Sequence, residues 1–106
     1  MTDTETLLKQ AVGWRREGMQ VALATVIATW GSSPRPVGSK LAVNASGDMR
    51  GSVSGGCVEG AVVQAALEVM RDDKPQVLEF GVSDEDAWEV GLACGGRIRI
   101  YVESLS

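Results

Sequence analysis

Three features of the sequence predict an α+β (mixed α/β) fold, a sheet of about five strands with two main helices packed on it. Two segments carry apolar residues at helical spacing, at Leu7 to Trp14 and Val58 to Met70. One run, Val21 to Thr29, is apolar on both parities and rich in β-branched residues, and another, Arg97 to Glu103, alternates cleanly. The resulting order is helix, strand, two-strand hairpin, helix, strand, short helix, strand, which is no repeating βαβ pattern. With 106 residues and no visible linker or repeat, the chain is read as one domain over 1–106.

Each element has a local reason. Leu7, Ala11 and Trp14 share one helix face, with Leu8 and Val12 beside them. Thr2 and Glu5 suit a capping box, and Gly18 follows Arg15-Arg16, cations placed at the favourable end of the helix dipole. Val21 to Thr29 reads as a central strand covered on both faces. Trp30 to Ser39 holds Pro34, Pro36, Gly31 and Gly38, so it is a shaped loop. Lys40 to Asn44 and Met49 to Ser54 are short strands joined by Ala45-Ser46-Gly47-Asp48, a turn whose glycine takes positive φ. The second helix follows Ser54-Gly55-Gly56 and is closed by Pro75. Gln76 to Phe80 is a strand, Ser83 with Asp86 caps a short helix to about Val90, and the last strand places Ile98, Ile100 and Val102 on one face.

Composition limits the chemistry. Ten Lys+Arg against 14 Asp+Glu give a net charge of −4, which argues against a nucleic-acid partner. Histidine is absent, so no Ser-His or Cys-His nucleophile pair and no His-based metal site can form within the chain, and no metal ligand set is assigned. The acidic N-terminus lacks the features of a signal peptide, and the longest apolar run, Val21 to Ala28, is too short to span a bilayer. A cytoplasmic location is therefore expected. Cys57 and Cys94 are read as two reduced thiols rather than a structural disulfide.

The candidate chemistry lies in the glycine turns. Gly51-Ser52-Val53-Ser54-Gly55-Gly56-Cys57-Val58-Glu59 runs from a strand through a glycine-rich turn into a helix, which offers backbone N–H groups and the positive dipole end to an anion. It matches neither the P-loop nor the dinucleotide fingerprint, and a purely structural turn is the competing reading. Cys57, at the start of the helix, is placed where a thiol pKa is lowered. Cys94, in Cys94-Gly95-Gly96, repeats the local form of Gly55-Gly56-Cys57, and both thiols are expected to face one cleft at one edge of the sheet. Arg35, between two prolines, is a cation on a stiff backbone suited to a phosphate or carboxylate. Lys40 adds a second positive charge, or is a solvated strand-end lysine. Glu59 is read as a carboxylate compensating the helix dipole. Trp14 is assigned to the core, and Trp30 and Trp88 to ligand or partner contact.

Taken in order, Ala24-Thr25-Val26, Gly31-Ser32-Ser33-Pro34-Arg35 with Gly38 and Lys40, Gly51 to Glu59, and Gly91-Leu92-Ala93-Cys94-Gly95-Gly96 resemble the N-terminal domain of the XdhC/CoxI family. The resemblance spans about Leu7 to Glu103. It implies a maturation factor for molybdenum hydroxylases such as xanthine dehydrogenase and carbon monoxide dehydrogenase. Such a factor transiently binds the molybdenum cofactor (molybdopterin), assists its sulfuration with a cysteine desulfurase, and inserts it into the apo-hydroxylase as a chaperone rather than an enzyme. Carried onto matching positions, the resemblance and the local chemistry together nominate Ser32, Ser33, Arg35, Lys40, Ser54, Gly55, Gly56, Cys57, Cys94 and Gly95 as cofactor-binding residues. Longer family members continue into a Rossmann-like domain, which this 106-residue chain is expected to lack. The competing reading is a thiol enzyme using Cys57 for sulfur transfer or redox chemistry. A homodimer or a docked partner is expected to cover an otherwise exposed cofactor pocket.

Overall fold

The structure, a computed structural model, describes residues 4–30, 36–53, 58–80 and 97–105. Their elements run α1 (Thr4–Arg16), β1 (Val21–Trp30), β2 (Lys40–Asn44), β3 (Met49–Gly51), α2 (Glu59–Asp72), β4 (Gln76–Phe80) and β5 (Arg97–Leu105). The five strands form one sheet in the order β3-β2-β1-β5-β4. Every neighbouring pair is antiparallel. This is the expected α+β fold, with β1 at the centre.

The two helices cover opposite faces. α2 lies over Ala22, Ala24 and Val26 of β1, Leu41 and Val43 of β2, and Ile98, Ile100 and Val102 of β5, burying Val62, Ala66 and Val69 against them. α1 covers a smaller cluster on the other face, where Leu7, Ala11 and Trp14 meet Val21, Leu23 and Ala42. The alternation that identifies β5 in the sequence is the alternation of these two faces. Trp14 is thus core, as expected, and the Arg50 guanidinium lies 6.0 Å from its ring centroid.

Several expectations need correction. The buried stripe of α1 is narrower than its hydrophobic pattern, because Leu8 and Val12 are 38% and 49% exposed. β1 is covered on both faces only as far as Val26: its pairing with β5 is interrupted by a bulge between Val26 and Ala28, and the intervening Ile27 is exposed. β3 ends at Gly51, short of Ser54, where Gly51 turns to φ +91° and the Ser52 hydroxyl and Val53 N–H bond to Glu59 of α2. β5 runs on to Leu105, because its pairing with β1 continues to Val21. The turn at 45–48 is as expected, with Gly47 at φ +86°. α2 stops at Asp73, a left-handed C-cap whose N–H donates to the Val69 carbonyl at 2.8 Å, two residues before Pro75. Thr2, the short helix expected from Ser83 and the side chains of Trp30 and Trp88 lie outside the described residues.

Candidate functional site

Antiparallel pairing brings the three motif-bearing segments to one end of the sheet. β1 finishes at Trp30 opposite Arg97, where β5 begins, and β4 finishes at Phe80 opposite Ile98. β2 begins at Lys40 opposite Thr25, and β3 finishes at Gly51 opposite Leu41. The strand ends flanking 31–39, 52–58 and 81–96 therefore open in the same direction, those of β2 and β3 level with Thr25 and Ala24 and those of β1 and β5 five residues farther on, whereas 17–20, 45–48 and 73–75 occupy the opposite end. α2 starts from the first of these ends.

Of the nominated residues, Lys40 is described; Ser32, Ser33, Arg35, Ser54, Gly55, Gly56, Cys57, Cys94 and Gly95 lie outside the described residues. So does the expected meeting of the two thiols. Lys40 is no freely solvated strand-end lysine: it is half-buried, and its Nζ donates to Thr25 Oγ1 at 3.1 Å. The backbone around it is pinned as well. Ser52 N–H donates to the Lys40 carbonyl at 3.0 Å, Val26 N–H to the Ser39 carbonyl at 2.9 Å, and Gly38 N–H to the Val26 carbonyl at 2.8 Å.

Glu59 does more than compensate the helix dipole. It stands in the first turn of α2, where a carboxylate complements the dipole. Yet it is only 7% exposed, and its Oε2 accepts hydrogen bonds from Ser52 Oγ at 2.6 Å and Val53 N–H at 3.1 Å. The carboxylate thus ties the end of the β3 segment to the start of α2. The sequence signal that could have found it is the hydroxyl of Ser52 seven positions before a first-turn glutamate, at either side of a glycine turn.

A second polar cluster stands at the same end, on the sheet face opposite α2. Glu79 accepts hydrogen bonds from the guanidiniums of both Arg97 and Arg99, the latter at 2.8 and 3.1 Å. These two arginines, Arg97 first, hold the Glu79 carboxyl below the usual carboxylate range. The strand alternation placed Arg97 and Arg99 on one face but gave no sign of their common partner on β4. An open groove of about 400 Å³ along the outer side of α1 is lined by Glu5, Leu8, Lys9, Val12, Gly13 and Arg16, and holds none of the nominated residues.

No group of three His, Cys, Asp or Glu among the described residues could hold a metal ion. Nor is any described helix long and apolar enough to cross a membrane.

The chain is similar to the molybdenum cofactor insertion chaperone PaoD of Escherichia coli (strain K12), 34% identical over 104 residues that make up 97% of this chain and 32% of that one. It is also similar to a Bacillus subtilis (strain 168) protein named as a probable xanthine dehydrogenase subunit, 28% identical over 89 residues, 82% of this chain and 27% of the relative. The crystal structure of a xanthine dehydrogenase from Bacillus halodurans superposes with a TM-score of 0.76 at 26% identity, covering 93% of this chain and 30% of that one. The chain spans about a third or less of the length of these relatives. The sequence profile of the XdhC and CoxI family matches residues 14–81, a span running from the end of α1 through α2 and β4, and the chain belongs to that family.

Proposed function

We propose that this domain cradles the molybdenum cofactor as cargo and helps to insert it into a molybdenum hydroxylase of the xanthine dehydrogenase or carbon monoxide dehydrogenase type. The observation that supports the reading is that the strand ends flanking the three motif segments open at the same end of the sheet, in a chain 34% identical to an insertion chaperone. Molybdopterin is a flat pterin with a phosphate and a metal-bearing dithiolene, so it calls for anion donors and soft ligands together. In this reading Arg35 and Lys40 pair with anionic oxygens, Ser32, Ser33 and Ser54 donate hydroxyls, and Gly55, Gly56 and Gly95 let backbone N–H groups approach. Cys57 and Cys94 supply thiolates near the metal. The pinned position of Lys40 fits this task, because an amine already held by Thr25 gives up little conformational entropy when an anion arrives.

The finer steps belong to the same proposal. The domain holds the cofactor in the cytoplasm while a cysteine desulfurase provides sulfur for the terminal sulfido ligand, then releases it to the apo-hydroxylase. A second copy of the chain covers the exposed side of the cargo, a point analytical ultracentrifugation at micromolar concentration decides. The function itself is tested by purifying the chain from cells that make molybdopterin and measuring the fluorescence of the released, oxidised pterin. Pterin should co-purify with the parent. Arg35→Ala and Cys57→Ser should each retain about tenfold less, the scale of one charge-assisted contact. A folded parent chain that brings down no pterin refutes the reading, and a persulfide found on Cys57 in its place would favour the thiol enzyme.

A further inference from the structure

The two faces of the sheet are covered unequally. α2 spans one face from β2 to β4, whereas α1, on the other face, packs against β1, β2 and β3. Leu105, at the end of β5, touches the edge of the α1 cluster, and the rest of β5 and all of β4 lie beyond it. Strand register fixes which side chains stand on that farther part. Thr25, Tyr101 and Val77 form one row across β1, β5 and β4, and Arg99 with Glu79 lies in the next row on the same face. This is the α1 face, because Ala24, Val26, Ile100 and Val102 alternate onto the α2 side. Val77 is apolar, yet more than half exposed there.

The flank of α1 forms one wall beside this strip. Val12 and Arg16 line both the groove along α1 and a second groove of about 450 Å³ that reaches Leu105 of β5, so the two are continuous. Leu8 and Val12, one helical turn apart, present apolar side chains to water. A Cβ added at Gly13 would meet nothing within 4 Å, which lets a partner backbone come close. The floor is two strands wide, about 10 Å at about 4.8 Å per strand, and that is roughly one helix diameter. A helix laid beside α1 suits such a strip, as α1 itself suits the other half of the face.

Charge selects the kind of helix. The wall carries Lys9, Arg15 and Arg16 against one carboxylate, Glu5, which is already paired with Lys9 at 3.4 Å. On the floor the guanidiniums of Arg97 and Arg99 share Glu79, and Glu103 stands farther along β5. Positive charge thus gathers along the strip in a chain whose net charge is −4. A second copy offers no matching helix among the described residues. Its α1 stripe bears the same cations, and none of the large apolar side chains exposed to solvent lies on α2.

We propose that the strip of β5 and β4 beside α1 is a docking site for an amphipathic helix of another protein, one whose apolar stripe is flanked by carboxylates. Leu8, Val12, Leu105 and Val77 receive the stripe, and Arg15 and Arg16 receive the carboxylates. The proposal goes beyond cargo binding and stands whether or not the domain holds a cofactor.

The test uses the full chain and a synthetic helical peptide roughly three heptads long, with leucine at the core positions and glutamate on both flanks. The same peptide with lysine in place of glutamate is the comparison. Fluorescence anisotropy gives the affinities, and amide shifts of the isotope-labelled chain locate the contact. The glutamate peptide should bind at least about tenfold more tightly than the lysine peptide, as charge complementarity requires. Shifts should fall on Leu8, Val12, Tyr101, Val77 and Leu105 and spare α2. Val12→Asp should weaken binding about tenfold, and Arg16→Glu about threefold. Both side chains are exposed, thermal unfolding checks the fold, and Val77→Thr supplies a third variant on a separate element, with about threefold weaker binding expected. Absence of binding, equal affinity for the two peptides, or shifts confined to another face would overturn the proposal. So would a dimer in analytical ultracentrifugation that Val12→Asp dissociates, because a second copy would then be the occupant.

Discussion

The two ends of the sheet solve different problems. At the turn end the connections are short and closed by their own hydrogen bonds. Asn44 is fully buried, its Oδ1 accepts the N–H groups of Ser46 and Asp48 at 2.9 and 3.0 Å, and its Nδ2 donates to Asp48 Oδ2 at 3.3 Å. The Ala45 N–H donates to the Gln20 carbonyl, and Gln20 Nε2 reaches the Met70 carbonyl, so two connections and the last turns of α2 are stitched to one another. At the loop end the bonds sit at the roots of longer segments, at Ser39, Ser52 and Glu59. Local closure stabilises the fold at one end, and a rigid platform carries glycine-rich segments at the other, which is how binding loops are commonly mounted.

This contrast is broken most severely at Gly51, a root of the loop end. Its φ of +91° is strained for any other residue, and an added Cβ would lie 2.3 Å from Leu7 Cδ1 and 2.4 Å from the Lys40 carbonyl oxygen. The leucine tip can shift, whereas the carbonyl belongs to the backbone of β2. Gly51→Ala should therefore cost about 3 kcal/mol or more, backbone strain and overlap combined. Calorimetry would register a fall in Tm on the order of 10 °C or more, and an unchanged Tm would show that β3 can be re-laid without loss.

Asn44→Ala tests the other end and should cost about 2 kcal/mol, because two turn N–H groups and the Asp48 carboxylate lose their partner. Urea titration gives the stability, and the pterin assay gives the function. The expected result is a weaker fold that still retains pterin in proportion to its folded fraction. Loss of retention in the folded protein would mean that the two ends are coupled after all.

The sequence was most informative where one residue's chemistry decides one local structure. Gly18 and Gly47 turn where expected, Trp14 packs in the core, and the alternation of Ile98, Ile100 and Val102 fixes a face. It was least informative where the outcome depends on a partner distant along the chain. Nothing at Val12 shows that α1 presents only a narrow stripe to β2, since that depends on the crossing of helix and sheet. Ile27 reads like its neighbours until the bulge against β5 turns it outward. Glu59 and Glu79 look like ordinary surface carboxylates, and only tertiary structure brings Ser52 to one and two arginines to the other. The motif segments stood out in the sequence by their glycines, but the common end of the strands that flank them follows from strand directions that composition does not encode.

The smallest expected effect concerns the Glu79 cluster, which joins the two flanks of residues 81–96 but, unlike Glu59, does so with substantially exposed side chains. The carboxyl is held below its ordinary value of 4.5 by hydrogen bonds from Arg97 and then Arg99. A depressed folded-state pKa means that the unfolded chain binds the proton more tightly, so the contribution to stability is complete above about 4.5 and is lost as pH falls through the folded value. The side chains are substantially exposed, 35% for Glu79 and 50% and 40% for the arginines, so water and salt screen the attraction. Glu79→Gln should leave stability near neutral pH almost unchanged at physiological salt, and should remove only a shallow part of the acid-limb slope at low salt. A carbon-detected NMR titration of the Glu79 carboxyl, with and without added salt, measures the shift directly. A midpoint at 4.5 in low salt would mean that the two guanidiniums do not hold the carboxylate in solution. A large loss of stability in Glu79→Gln at neutral pH would instead mean that the loop end, like the turn end, depends on side-chain closure for its fold.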